Sequence, residues 1–190
     1  MRICVYGASS NAIDAAYIEA GERLGRLLGE RGHSLVFGGG ASGMMGAAAR
    51  GMTAAGGEIV GVVPRFFNAD GILYEHCTAM HRTDTMRERK QLLEDLSDAF
   101  VMTAGGVGTY DEFFEMLTLR QLGRTAKPLI VLNTNGYFDA LQKMLLQCVE
   151  QGFMRAASLS LYRVCATPEE VLAALEETAQ TADIAAHKFI

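Results

Sequence analysis

The stretch 99–117, AFVMTAGGVGTYDEFFEML, decides the fold. Four apolar residues, 99–102, read as a short buried strand. They run straight into Gly105, Gly106 and Gly108, and from Thr109 onward apolar residues recur at helical spacing. Strand, glycine turn and helix in immediate succession is the unit of an α/β sheet whose strand ends face a ligand. Glycines let the backbone approach an anion, and the helix start offers free N–H groups and a partial positive charge. The segment therefore reads as a phosphate seat, with the Thr109 hydroxyl as an added donor.

Working outward, the same junction occurs twice more. Residues 3–6 form a strand-like run that meets GASS at 7–10. Residues 35–37 meet GGGASGMMG at 38–46. A purely structural account makes each set of glycines a tight turn, and it weakens when three such loops fall on one sheet edge. Gly7, Ser9, Gly39, Gly40, Gly43 and Gly46 join Gly105, Gly106, Val107, Gly108 and Thr109 as candidate phosphate or substrate contacts. The segment 38–46 is not a GxGxxG fingerprint and lacks the lysine of a P-loop, which argues against an NTPase.

Further strands are expected at 58–63, 75–81, 129–132 and 161–165. Helices are expected at 14–31, 44–55, 84–96, 109–122, 138–151 and 168–177. Strand and helix alternate six or seven times, which predicts a doubly wound parallel sheet. Fully apolar runs such as 59–63 suit strands covered on both faces. The 190 residues, 49% of them hydrophobic, fit one domain over 1–178 with a loosely held tail at 179–190.

The net charge of −5 makes the chain a poor non-specific ligand for nucleic acid or anionic membrane. No apolar run approaches the ~20 residues that cross a bilayer. The start, MRICVYGASS, is too short and too soon polar for a signal peptide. Cys4, Cys77, Cys148 and Cys165 form no CxxC pair, and His33, His76, His81 and His187 show no zinc-ligand spacing. Free thiols in a reducing cytoplasm, and no metal, are the expectation.

Two helices carry charge where apolar residues belong. In 84–96, Met86, Leu93 and Leu96 form a stripe, and Arg89 falls on it. A guanidinium there is costly unless paired, so it is either a structural ion pair, a snorkelling side chain or a ligand-facing cation. Lys90 and Arg87 read equally as a solvated face. In 109–122, Phe113, Phe114, Met116, Leu117, Leu119 and Leu122 surround the helix, with Glu112 set among them and Glu115 one turn on. Asp111 and Glu112 suit a helix N-terminus, but the dipole does not explain a carboxylate among large apolar groups. The surplus apolar surface points to a subunit interface. A carboxylate and a cation beside a bound nucleotide suit cleavage of an N-glycosidic bond. The carboxylate stabilises the cationic ribosyl centre or activates water, and the positive group takes charge gathering on the departing base.

At these residues the chain resembles the LONELY GUY (LOG) family of cytokinin riboside 5′-monophosphate phosphoribohydrolases. MRERK at 86–90 followed by AGGVGTYDE at 104–112 is similar to the family's Arg-Lys pair followed by PGGxGTxxE. CVYGASS at 4–10, VFGGGASGMMG at 36–46, EIVGVVP at 58–64 and QLGRTAKPLIVLN at 121–133 extend the likeness over about residues 1–150. The resemblance implies a Rossmann-like fold, a homodimer, and hydrolysis of an N6-modified AMP to free base and ribose 5-phosphate without metal or other cofactor. It makes Arg89 and Glu112 the catalytic pair. Lys90, residues 106–112 (including Val107, Tyr110 and Asp111) and Thr118 match positions that contact substrate. Ala104 stands where the signature has Pro, and a pocket acid of the family falls near Asp70-Gly71. Relatives have carried the label lysine decarboxylase, yet neither Lys90 nor Lys127 has a Schiff-base setting here. A non-catalytic nucleotide-binding module and a broader nucleoside monophosphate hydrolase are the competing readings.

Overall fold

A computed structural model describes residues 1–67 and 71–187. Seven strands form one parallel sheet: β1 (Arg2–Tyr6), β2 (Ser34–Phe37), β3 (Ile59–Pro64), β4 (Ala79–Thr83), β5 (Ala99–Met102), β6 (Leu129–Leu132) and β7 (Arg163–Cys165), in the order β4-β3-β2-β1-β5-β6-β7. The helices are α1 (Ala15–Glu30), α2 (Gly43–Ala54), α3 (Met86–Asp95), α4 (Val107–Gln121), α5 (Asp139–Glu150) and α6 (Pro168–His187). The doubly wound, single-domain α/β architecture expected from the sequence is present. Among the described residues, no helix is long and apolar enough to cross a membrane.

The chain winds outward from β1 to β4, then returns to place β5 on the other side of β1. Strand order therefore reverses between β1 and β5, where a crevice opens above the carboxyl ends of the strands. The two strands end level, with Tyr6 opposite Met102. Their loops are tied by Ala8 N–H donating to the Ala104 carbonyl (3.0 Å) and by Thr103 N–H donating to the Tyr6 carbonyl (2.8 Å). Ala104, in the family's proline position, thus contributes a carbonyl that bridges two loops.

Two apolar layers cover the sheet. One packs Leu24, Leu28, Met52, Val171 and Leu175 of α1, α2 and α6 on inward residues such as Ile3, Phe37 and Val101. The other packs Leu93, Phe113, Met116 and Leu145 of α3, α4 and α5 on Cys4, Val62 and Phe100. Small residues in α2, with Ala47, Ala48 and Ala49 fully buried, let it lie close against α1. Exposed pairs Arg23–Glu169 and Arg31–Glu176 join α1 to α6.

The strands at 99–102 and 129–132 lie where the sequence places them, but β4 does not. It begins at Ala79 rather than 75, because it is an edge strand whose His81 and Arg82 are exposed, so no apolar run marks it. α6 continues past Glu177 to His187, since its sequence carries no Gly or Pro to stop it. All four cysteines are free. Burial pushes the Cys4 thiol up to about 12, leaving it an inert packing group.

Candidate functional site

A cleft of about 580 Å³ opens at the topological switch point. It is floored by the three loops: Gly7, Ala8 and Ser9 after β1, Gly38, Gly40 and Ser42 after β2, and Gly106, Gly108 and Thr109 at the start of α4. The sequence expects that helix to start at Thr109. It starts at Val107, with Gly106 as an extended N-cap, so Gly108 lies in the first helical turn and Gly105 and Gly106 lead into it. The N-terminus of α4, whose first backbone N–H groups have no partner within the helix, thus lies at the cleft.

The loops are held from below. Gly43 takes φ +61°, and a side chain there would meet the Ala8 and Ser10 carbonyls, so only glycine lets the first two loops touch. Its N–H donates to Asn11 Oδ1 (2.8 Å). The Tyr137 hydroxyl donates to the Gly105 carbonyl (2.7 Å).

Arg89 and Glu112 meet across the cleft wall. A capping box fixes the start of α3: Thr85 Oγ1 accepts from Glu88 N–H, and Glu88 Oε2 accepts from Thr85 N–H. Arg89 follows on the inward face of α3, beside Leu93. Its Nε–H donates to the Val62 carbonyl (3.1 Å) and its Nη1 to Glu112 Oε1 (2.9 Å). Both side chains are about nine-tenths buried, at 10% and 11% exposure, and both residues line the cleft. Of the alternatives that the sequence leaves open for Arg89, the ion pair is formed, and the paired guanidinium lines the cleft. Burial pushes the Glu112 carboxyl above the ordinary carboxylate value, and the Arg89 charge pulls it only partly back.

Lys90 points instead to the outer side, where its Nζ bridges Asp111 (3.0 Å) and Glu115 (2.9 Å). Burial alone would lower its pKa, but the two carboxylates overcome this and raise it. A lysine so held is more firmly protonated, the reverse of what an imine-forming amine needs. Lys127 Nζ donates to the Glu94 carbonyl (2.6 Å). Among the described residues, no three His, Cys, Asp or Glu side chains converge as metal ligands.

Of the residues singled out by sequence, Gly7, Ser9, Gly40, Arg89, Gly106, Gly108, Thr109, Asp111 and Glu112 line the cleft. Gly39, Gly43, Gly46 and Gly105 are buried and shape the loops. Lys90 and Glu115 form the outer ion pair. The Val107 side chain is 86% exposed, Tyr110 packs edge-on against Phe138, and Thr118 is exposed further along α4. None of these lines the cleft of the single chain. Met86, read as part of a core stripe, is 40% exposed and lines the cleft instead. Asp70 lies outside the described residues, while neighbouring Gly71 lines the cleft. Sequence reasoning missed the apolar wall of Met45, Val63, Phe67, Ile72 and Leu73. The irregular segment 65–75 carries no periodicity that would reveal it.

An α/β chain with a strand-order switch point, glycine loops and a buried Arg–Glu pair above them defines a Rossmann-like small-molecule-binding protein. The family described as possible lysine decarboxylase matches residues 45–175, and the chain belongs to that family. It is 38% identical over 160 residues to the cytokinin riboside 5′-monophosphate phosphoribohydrolase of Rhodococcoides fascians, covering 84% of this chain and 81% of that one. It is 34% identical over 176 residues to the enzyme of that name, LOG, from Oryza sativa subsp. japonica, covering 93% and 73%. The molybdenum cofactor binding protein of Rippkaea orientalis superposes with a TM-score of 0.73 at 20% identity, over 94% and 96% of the two chains. That likeness is one of fold.

Proposed function

We propose that the protein hydrolyses the N-glycosidic bond of cytokinin riboside 5′-monophosphates, releasing the free base and ribose 5-phosphate. The observation that carries this reading is the buried Arg89–Glu112 pair in a cleft floored by the N-terminus of α4. With the 5′-phosphate on Gly106, Gly108 and Thr109 at the start of α4, the ribose lies toward Glu112 in the second turn of that helix. As the bond from ribose C1′ to the base nitrogen breaks, its electron pair leaves with the base, and Glu112 faces the cationic ribosyl carbon. Water adds to that carbon. Its proton passes to Glu112, and the base takes up a proton in turn. Arg89 supplies positive charge within a low-dielectric wall. Phe67, Ile72, Leu73 and Met86 offer the base an apolar side, which suits a hydrocarbon substituent.

Chromatography of the protein incubated with AMP and with isopentenyladenosine 5′-monophosphate tests this. We expect free base from the prenylated nucleotide at least about tenfold faster, the effect of burying one or two methylene-sized groups. Equal rates indicate a general nucleoside monophosphate hydrolase. Binding without base release indicates a carrier or sensor.

We further propose a homodimer in the cytoplasm. Leu122, Met144, Leu146 and Phe153 stand exposed around α4 and α5, and free thiols suit a reducing compartment. Sedimentation equilibrium should give twice the 20.5 kDa chain mass. A single-chain mass at micromolar concentration contradicts the dimer.

A further inference from the structure

β2 ends at Phe37, and the chain turns at Gly38 on the sheet edge where α3 delivers Arg89. A Cβ at residue 38 would fall 2.2 Å from Arg89 Nη2, 3.4 Å from Arg89 Cζ and 3.0 Å from Met45 Sδ. The first distance is inside van der Waals contact, so something must move. Every one of these atoms belongs to a side chain, so the backbone need not shift.

The guanidinium is nevertheless held on its other edges. Its Nε–H is bonded to the Val62 carbonyl and its Nη1 to Glu112. Two edges are fixed by hydrogen bonds, and the third fits against a residue with no side chain. We propose that Gly38 is a positioning residue for the hydrolysis, its missing side chain being the space that seats the Arg89 guanidinium against Glu112. Gly38 acts through Arg89 and not on the reacting atoms. The kinetic consequence rests on the hydrolase reading above, whereas the geometric claim does not.

The test is Gly38→Ala. Displacing a catalytic group by about 1 Å costs on the order of 100-fold, so kcat should fall by about that factor. KM should stay within about threefold, because the phosphate seat on α4 is untouched. The melting temperature should change by no more than about 3 °C, since only side-chain ends move. In an Arg89→Ala background the added Gly38→Ala should cost no more than about twofold, because residues acting through one group are not additive. Adding Met45→Ala to Gly38→Ala should leave kcat low.

Wild-type kcat in Gly38→Ala overturns the proposal. So does an equal loss in both backgrounds, or rescue by Met45→Ala. A crystal structure of Gly38→Ala separates this claim from the hydrolase reading. The guanidinium displaced from the Val62 carbonyl supports the positioning role even if the wild type releases no base. An unmoved Arg89 refutes the role even if hydrolysis is confirmed.

Discussion

Glu112→Gln should lower kcat by about 1,000-fold, within the range that a positioned acid–base group contributes, while leaving the fold intact. The amide has the carboxylate's volume and keeps an oxygen to accept from Arg89 Nη1, so the wall of the cleft retains its shape. What disappears is the negative charge beside the ribosyl centre and the capacity to take a proton from water. Burial already disfavours that charge, as the upward displacement of the Glu112 pKa shows. Arg89 loses its counter-charge but keeps both hydrogen-bond acceptors, the Gln oxygen and the Val62 carbonyl, so the melting temperature should fall by less than the roughly 10 °C expected of a pair broken outright. The same displacement gives a pH signature. Glu112 acts as a carboxylate, so kcat/KM of the wild type should fall as pH drops through its raised pKa, above where a solvated Glu would titrate. Base release followed by chromatography, alongside a melting curve, checks both points. Turnover retained in Glu112→Gln removes the residue from the mechanism.

The two members of this pair were visible in the sequence as charges on apolar stripes, Arg89 beside Leu93 and Glu112 among Phe113, Met116 and Leu119. Periodicity exposes such residues because it fixes the face of a helix on which they lie. It does not say what lies opposite. That Arg89 meets Glu112, and that its Nε–H reaches Val62, depends on how α3 and α4 flank the ends of β3 and β5, which no local pattern encodes. The same limit applies to the glycine run 38–40. The run marks a loop, but only the assembled sheet edge distinguishes Gly38, under a guanidinium, from Gly39, against Val63 and Met80. Central strands such as Leu129–Leu132 were legible because both faces are covered and every residue is apolar. The edge strand β4, partly exposed, followed no such rule.

Arg89→Ala should be the most destabilising change in the site. It strands the buried Glu112 carboxylate and removes the partner of the Val62 carbonyl. Breaking a buried pair from one side costs about 3–5 kcal/mol, which for a chain of this size lowers the melting temperature by about 10 °C. Base release should fall as well, but stability gives the sharper discrimination. With the guanidinium gone, burial acts on Glu112 against only the weaker pull of Lys90, and its folded-state pKa rises further above the ordinary value. A carboxyl raised in this way binds its proton more readily folded than unfolded. Its contribution to stability is full below the unfolded pKa and is lost as pH rises through the folded one. The deficit of Arg89→Ala relative to wild type should thus be largest near pH 7 and shrink towards pH 5. Adding Glu112→Gln removes the stranded charge altogether, so the double variant should melt above Arg89→Ala and respond less to pH. Melting curves of the four proteins at pH 5, 6 and 7 complete the cycle. A deficit that is the same at every pH, and is not recovered by the second substitution, assigns the loss to packing of the Arg89 stem rather than to the charge it holds in place.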